Sequence, residues 1–155
     1  MPAKSGGLDV EFVGLKEALA KLEAKGKKAR DLTSAFRRFD RESVRPFLDE
    51  QFQTAGAFGG HPWAPLKAST QKKRRRPGGN RGGVDHPLWD TGNLRSKLLN
   101  RPIRLITRDE YRRGTDVPYA RHAGGPDTDR PIFPEGPVPV LEAGLLAALE
   151  LHFAE

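Results

Sequence analysis

Cysteine is absent from this chain of 155 residues, which excludes disulfides and cysteine-ligated zinc sites. No apolar run approaches the roughly 20 residues that a membrane span needs. The first residues also lack the apolar core of a secretory signal. We therefore expect a protein that is made and used in a cytoplasm, or in an assembly built there, with no membrane partner.

Signatures of catalysis and of cofactor binding are also missing. The histidines, His61, His86, His122 and His152, stand at least 25 residues apart, so no pair has the spacing of a helical zinc site. There is no P-loop, no dinucleotide fingerprint and no G-x-S-x-G. We expect no catalytic residue, no metal and no cofactor, and we expect His122 to anchor a turn by hydrogen bonding.

The tripeptide Asp90-Thr91-Gly92 is also the one that carries the catalytic carboxylate in aspartic proteases. That chemistry requires two carboxylates that share a proton, and a strand must leave the motif. Here the charged start of a helix follows at 93–97. We therefore expect Asp90 or Thr91 to cap that helix while Gly92 relieves the turn, and a protease stays a remote alternative.

Acidic residues are missing from residues 67–82, which hold seven positive charges. The whole chain has 27 Lys and Arg against 20 Asp and Glu, so this segment carries the entire net charge of +7. Such a segment would attract phosphates without reading sequence, or it would order against an acidic neighbouring subunit. The candidate contacts are Lys67, Lys72, Lys73, Arg74, Arg75, Arg76 and Arg81.

Hydrophobic periodicity predicts the first elements. Residues 8–13 alternate apolar and acidic side chains as a half-buried strand does, and residues 15–25 have helical spacing. Asp31 is a good N-cap for a longer helix that runs to about residue 55. Pro46 should kink or divide that helix. Its predicted buried stripe consists of Leu32, Phe36, Phe39, Phe47, Leu48 and Phe52.

The remaining pattern completes an α+β prediction. A single domain, 1–155, has a small antiparallel sheet, formed by the strand near 8–13 and a hairpin near 103–115 with one arginine-rich face. Two or three helices and long irregular loops pack against it. We expect a basic flexible loop at 67–83, with one short helical turn at 68–73, and an extended segment at 126–139. We also predict a short turn followed by a helix within 88–99, and a final helix at 140–153.

Four short motifs follow one another between residues 58 and 133. They are a Gly followed by W-x-P-L, a Thr with a Lys/Arg-rich stretch, a D-T-G-x-L-R-S turn, and a Y-A-x-x-H-x-G turn that precedes an Arg and an aromatic residue. We expect Trp63 to be a core aromatic rather than an exposed interface anchor. The residues that form the motifs are Gly60, Trp63, Pro65, Leu66, Thr70, Lys72, Lys73, Leu88, Asp90, Thr91, Gly92, Leu94, Arg95, Ser96, Tyr119, Ala120, His122, Gly124, Arg130 and Phe133.

In this order, the motifs resemble those of the phage virion morphogenesis family, the small tail-completion or neck proteins of tailed bacteriophages. The resemblance implies a non-enzymatic structural protein of the virion, assembled in the host bacterial cytoplasm. It implies a ring of identical subunits around the DNA channel, where capsid meets tail, in contact with adjacent connector and tail proteins. A small basic DNA-binding regulator remains an alternative. The arginine-rich segment and the proline-rich stretch after Phe133 depart from the family pattern.

Overall fold

The computed structural model describes residues 30–75, 86–88, 92–125 and 127–154. The strand predicted at 8–13 and the helix predicted at 15–25 lie outside these residues. The described part combines helices with a small antiparallel sheet, so the α+β prediction is confirmed. In chain order the elements are α1 (Thr33–Phe39), a π-helical segment (Asp40–Val44), α2 (Arg45–Gln53), α3 (Ala68–Arg74), α4 (Asn93–Asn100), β1 (Ile103–Ile106), β2 (Tyr111–Gly114), α5 (Ala120–Gly124) and α6 (Pro139–Ala154).

The helix predicted to begin after Asp31 is divided at the proline, as expected. In the π-helical segment the Arg45 N–H bonds to the Asp40 carbonyl five residues earlier, and Pro46 follows in the first turn of α2. A proline ring has no N–H and crowds the preceding turn, so a wider turn at this point accommodates it. Asp31 accepts a bond from the Thr33 N–H at 3.0 Å, although the N-cap position itself is Leu32.

The core forms between this divided helix and its neighbours. All six residues of the predicted stripe are buried. Helix α6 packs along α1 and the π-helical segment with Leu141, Leu145 and Leu149. Gly144 of α6 allows this approach, because a Cβ built there would lie 2.6 Å from the Cβ of Ser43.

The predicted hairpin is present, with Leu105 opposite Arg112 and Arg104 opposite Arg113. Successive side chains of a strand point to opposite faces of a sheet, so Arg104 and Arg113 share one face. That arginine-rich face is turned inward, toward Asp40 of the π-helical segment. The opposite face leaves Ile103 and Leu105 exposed.

Part of the segment predicted as a flexible basic loop is helical. Helix α3, Ala68–Arg74, extends the short turn predicted at 68–73, and none of its residues is buried. Residues 76–83 of that segment lie outside the described part. Residues 127–138 contain turns and no helix or strand, as expected for a proline-rich connection.

Candidate docking site

Trp63 fastens two irregular segments together. Its ring is buried and meets Phe52 edge to face, with centroids 5.5 Å apart. The indole Nε1–H donates to the Pro131 carbonyl at 2.8 Å. Aromatic burial and a satisfied indole donor both stabilise the loop that carries Trp63 against the 127–133 segment. The prediction of a core aromatic is confirmed.

Arg130 makes a second connection between the same segments. Its guanidinium donates to the Ala64 carbonyl at 2.8 Å and to the Pro65 carbonyl at 3.0 Å. A backbone hydrogen bond from the Ala64 N–H to the Asp129 carbonyl, 3.1 Å long, joins the same two segments. Arg130 therefore satisfies the carbonyls of the W-x-P-L loop.

Gly124 lies where helix α5 meets residue Ile132. The Gly124 carbonyl accepts a 3.0 Å bond from the Ile132 N–H, and a Cβ at position 124 would lie 2.5 Å from the Ile132 Cδ1 atom. The Ile132 carbonyl in turn accepts a bond from the buried Gln51 side chain, whose Oε1 also receives the Gly59 N–H at 2.7 Å. A glycine is required here because the two segments approach so closely.

Gly92 and the Y-A-x-x-H turn lie at the start of α4. Gly92 occupies the N-cap position with φ +78°, the left-handed conformation that glycine adopts without strain, and Leu94 is buried two residues later. The Asn93 amide lies 3.5 Å from the Tyr119 hydroxyl. The His122 side chain is exposed, and it is the backbone N–H of His122 that closes a turn on Tyr119. Asp90 and Thr91, the predicted caps, lie outside the described residues.

These motifs surround one cavity of about 700 Å³. Its described lining contains three cationic side chains and no acid. Three further lining groups, two hydroxyls and an amide, can hydrogen-bond, and leucines form much of the rest. The lining residues are Leu66, Lys67, Thr70, Arg74, Leu88, Gly92, Asn93, Leu94, Tyr119, Ala123 and Arg130.

Helix α3 forms one wall of the cavity and has two unlike sides. Lys67, Thr70 and Arg74 follow helical spacing and line the cavity, whereas Lys72 and Lys73 are exposed on the outside. Arg75, just after the helix, is also exposed. Four of the seven predicted contact residues are therefore exposed to solvent, namely Lys67, Lys72, Lys73 and Arg75.

Arg74 makes a bond within the chain that the sequence did not predict. Its Nη1 donates to the His86 carbonyl at 2.7 Å, so this side chain ties α3 to residues 86–88. Its candidate contact with DNA or an acidic partner stays a prediction, made by a half-buried side chain that is already engaged at one nitrogen. Arg76 and Arg81 lie outside the described residues.

A buried polar cluster centred on Asp40 was not among the features predicted from the sequence. The carboxylate of Asp40 accepts bonds from Tyr111 at 2.6 Å, from Arg113 and from Arg104 at 3.0 Å. Arg113 also donates to the Leu98 carbonyl near the end of α4. A signal was available, since position 40 continues the i, i+4 series that begins at residues 32 and 36.

The pKa values in this cluster follow from burial and hydrogen bonding. Burial opposes ionisation of Asp40, but the bonds from Tyr111 and Arg113 outweigh it and hold the pKa of this carboxyl below its ordinary value of 3.8. Burial, reinforced by the Asp40 charge, raises the pKa of Tyr111 well above its ordinary value of 10. The cluster joins the divided helix, α4 and the hairpin.

A second basic surface lies on α1 and the start of the π-helical segment. Arg37, Arg38 and Arg41 line a shallow cavity of about 600 Å³ together with Asp31 and His152. Arg41 forms an exposed ion pair with the adjacent glutamate at 2.8 Å. The helical spacing of Arg37, Arg38 and Arg41 could have predicted this surface. Nearby acidic residues, however, leave this stretch of the chain without a conspicuous excess of positive charge.

Within the described residues, no three His, Asp or Glu side chains converge as metal ligands would. None of the described helices is both long enough and apolar enough to cross a bilayer. Comparisons of the chain with models of protein families, with curated proteins and with solved structures find no match.

Proposed function

We propose that this chain is a structural assembly protein of a tailed bacteriophage, acting at the junction of head and tail as a ring around the DNA channel. Its place is that of a neck, tail-completion or tail-terminator protein. Its partners are further copies of itself and the adjacent connector and tail proteins. The helix α3 and the residues that follow it face exiting DNA or an acidic neighbouring ring.

The use of the motif residues supports a structural role. Trp63, Arg130 and Gly124 each satisfy or accommodate backbone from another irregular segment. Such contacts hold loops in fixed positions, and rigidly positioned loops commonly carry binding surfaces. The function therefore lies in what these loops present to their neighbours.

The observation that carries the proposal is the arrangement of α3. This helix has no buried residue, and Lys67, Lys72, Lys73 and Arg75 are exposed on it or beside it. A helix of two turns has little stability of its own, and here it is not anchored by the core. Its described residues serve to hold a cavity wall and to display positive charge.

Removal of the outward charges tests the proposal. The triple variant Lys72→Ala, Lys73→Ala and Arg75→Ala leaves Arg74 in place and should therefore keep the fold. We expect particles supplied with this variant to show defective head–tail joining or loss of DNA, measured by electron microscopy and nuclease protection. The matched control is the triple alanine variant of Arg37, Arg38 and Arg41, which removes the same charge from another surface.

The two outcomes separate the candidate functions. Fully joined, DNA-retaining particles from the α3 variant would contradict the proposed role of this surface. A regulator would instead bind duplex DNA as an isolated monomer, with an affinity that falls steeply with salt and is lost in the α3 variant alone. Absence of the chain from purified particles would refute the proposal as a whole.

A further inference from the structure

Helix α6 is apolar on more sides than its own chain covers. Leu141, Leu145 and Leu149 are buried, yet Leu146 is 55% exposed and Leu151 49% exposed. A helix that is apolar all round is ordinarily buried all round. The exposed side of α6 thus has the composition of a contact surface.

The charges on this exposed side are all negative. Glu142, Leu146 and Glu150 stand at i, i+4 spacing and form one row along the helix. The neighbouring row contains Ala143 and Ala147, both exposed. Within Pro139–Ala154 there is no lysine and no arginine. We call this side of the helix the α6 face.

The outer side of the hairpin has the opposite character. Ile103 and Leu105 are 47% and 44% exposed there, and Arg112 stands opposite Leu105 on the same face, where it is ion-paired with Glu110 at 2.5 Å. Arg101 is exposed just before β1. A sheet with one apolar face ordinarily packs it against a helix. We call this side the hairpin face.

We propose that the α6 face of one copy packs on the hairpin face of the next copy. Helix on sheet is a standard packing of two apolar surfaces. Arg101 and Arg112 outnumber Glu110 beside Leu105, so the acids beside Leu146 would meet a net positive charge there. This favours the hairpin face over a second α6 face, where glutamates would meet only glutamates. The inference deepens the proposed function, because it names the contact that builds the ring.

The symmetry of the contact follows from the two faces being different. A contact between unlike surfaces is heterologous, and repetition of it closes into a ring when the rotation per subunit allows. A contact between like surfaces would stop at a dimer. Each copy in the ring therefore uses both faces, one toward each neighbour.

Two single substitutions and their mixture test the pairing by sedimentation of the full chain. Leu146→Glu disables only the α6 face, and Leu105→Glu disables only the hairpin face. Loss of a central apolar contact should weaken self-association at least about thirtyfold in each variant. An equimolar mixture retains one intact pair of faces, so we expect dimers and nothing larger. Ala143→Glu and Ile103→Glu are the second pair of variants, to be used if either first variant unfolds.

Phe58→Glu provides the matched control, since Phe58 is 45% exposed, belongs to neither face and does not line the docking cavity. It should associate as the unmodified chain does. Self-association of Leu105→Glu at unmodified strength would overturn the inference, and so would a mixture that remains monomeric. An unmodified chain that stays monomeric at a concentration of about 1 mM would overturn it too. Its dissociation constant would then exceed about 1 mM, which corresponds to a binding free energy weaker than about 4 kcal/mol.

Failure of this pairing is distinguishable from failure of the proposed function. The particle assay with the α3 variant changes neither face and does not depend on the sedimentation result. If Leu146→Glu lowers the free energy of unfolding while association is unchanged, the α6 face is covered within its own chain. That result would refute the pairing and leave the role at the head–tail junction to be decided by the particle assay.

Discussion

Two arginines on the same face of the hairpin bond to one carboxylate, yet we expect very different consequences when each is removed. Arg113 and Arg104 are directly opposite each other in the register and both donate to Asp40. The side chain of Arg113 is 1% exposed, whereas that of Arg104 is 51% exposed. The perturbation is to replace each in turn by methionine, which is similar in length and uncharged.

The magnitudes follow from burial and from the remaining partners. Removing one member of a buried ion pair costs about 3–5 kcal/mol, because the other charge stays buried. Asp40 keeps Tyr111 and Arg104, which favours the lower end of that range. The Leu98 carbonyl, however, also loses its Arg113 donors, and an unsatisfied buried carbonyl costs about 1–3 kcal/mol. We therefore expect about 3–5 kcal/mol for Arg113→Met. For Arg104→Met we expect at most about 1 kcal/mol, since a half-exposed pair is weakened by solvent.

Urea denaturation of the unmodified chain and the two variants measures the difference. With a slope of about 1–3 kcal/mol per molar urea, a loss of 3 kcal/mol lowers the midpoint by about 1–3 M. Arg113→Lys should fall between the two, because one ammonium group cannot replace the forked contacts with Asp40 and Leu98. Equal costs for the two methionine variants, or a cost below about 1 kcal/mol for Arg113→Met, would refute the reasoning.

Three further predictions concern other contacts. The lowered pKa of Asp40 contributes stability that is present above its ordinary pKa of 3.8 and is lost as pH falls through the folded-state pKa. Asp40→Asn should therefore reduce the loss of unfolding free energy at acidic pH in a stability–pH curve. An unchanged loss at acidic pH would contradict this. Gly124→Ala should cost about 1–3 kcal/mol through overpacking against Ile132, and adding Ile132→Val should recover part of the loss in urea titrations. Trp63→Phe loses the indole hydrogen bond to the Pro131 carbonyl. It should lower the free energy of unfolding by about 0.5–1.5 kcal/mol beyond the effect of the smaller buried area. A thermal midpoint equal to that of the unmodified chain would show that this bond contributes nothing.

Sequence reasoning succeeded where the pattern is local. The stripe from Leu32 to Phe52, the interruption at Pro46 and the position of the hairpin all follow from periodicity or from proline chemistry within a few residues. The left-handed Gly92 was predictable for the same reason, because a turn must precede the helix that starts at Asn93.

The candidate site was only partly predictable. The segment rich in positive charge was visible, but its division into a cavity wall and an outward face depends on the helix α3 and on what it adjoins. The role of Arg74 depends on the His86 carbonyl, which folding brings within 2.7 Å. A charge count gives no information on which guanidinium is already engaged by the protein.

Local spacing in this chain decides which segments become helix or strand and which side chains can share one face. Contacts between distant residues decide which of those faces is covered. Arg113 and Asp40 are 73 positions apart, and the arginine-rich face of the hairpin turns inward because this buried carboxylate lies beneath it. Periodicity would have permitted Ile103 and Leu105 to face inward instead. A charged side chain such as Arg113 can be buried only when its partner Asp40 lies beside it. Because the two are distant in sequence, only the folded chain brings them together.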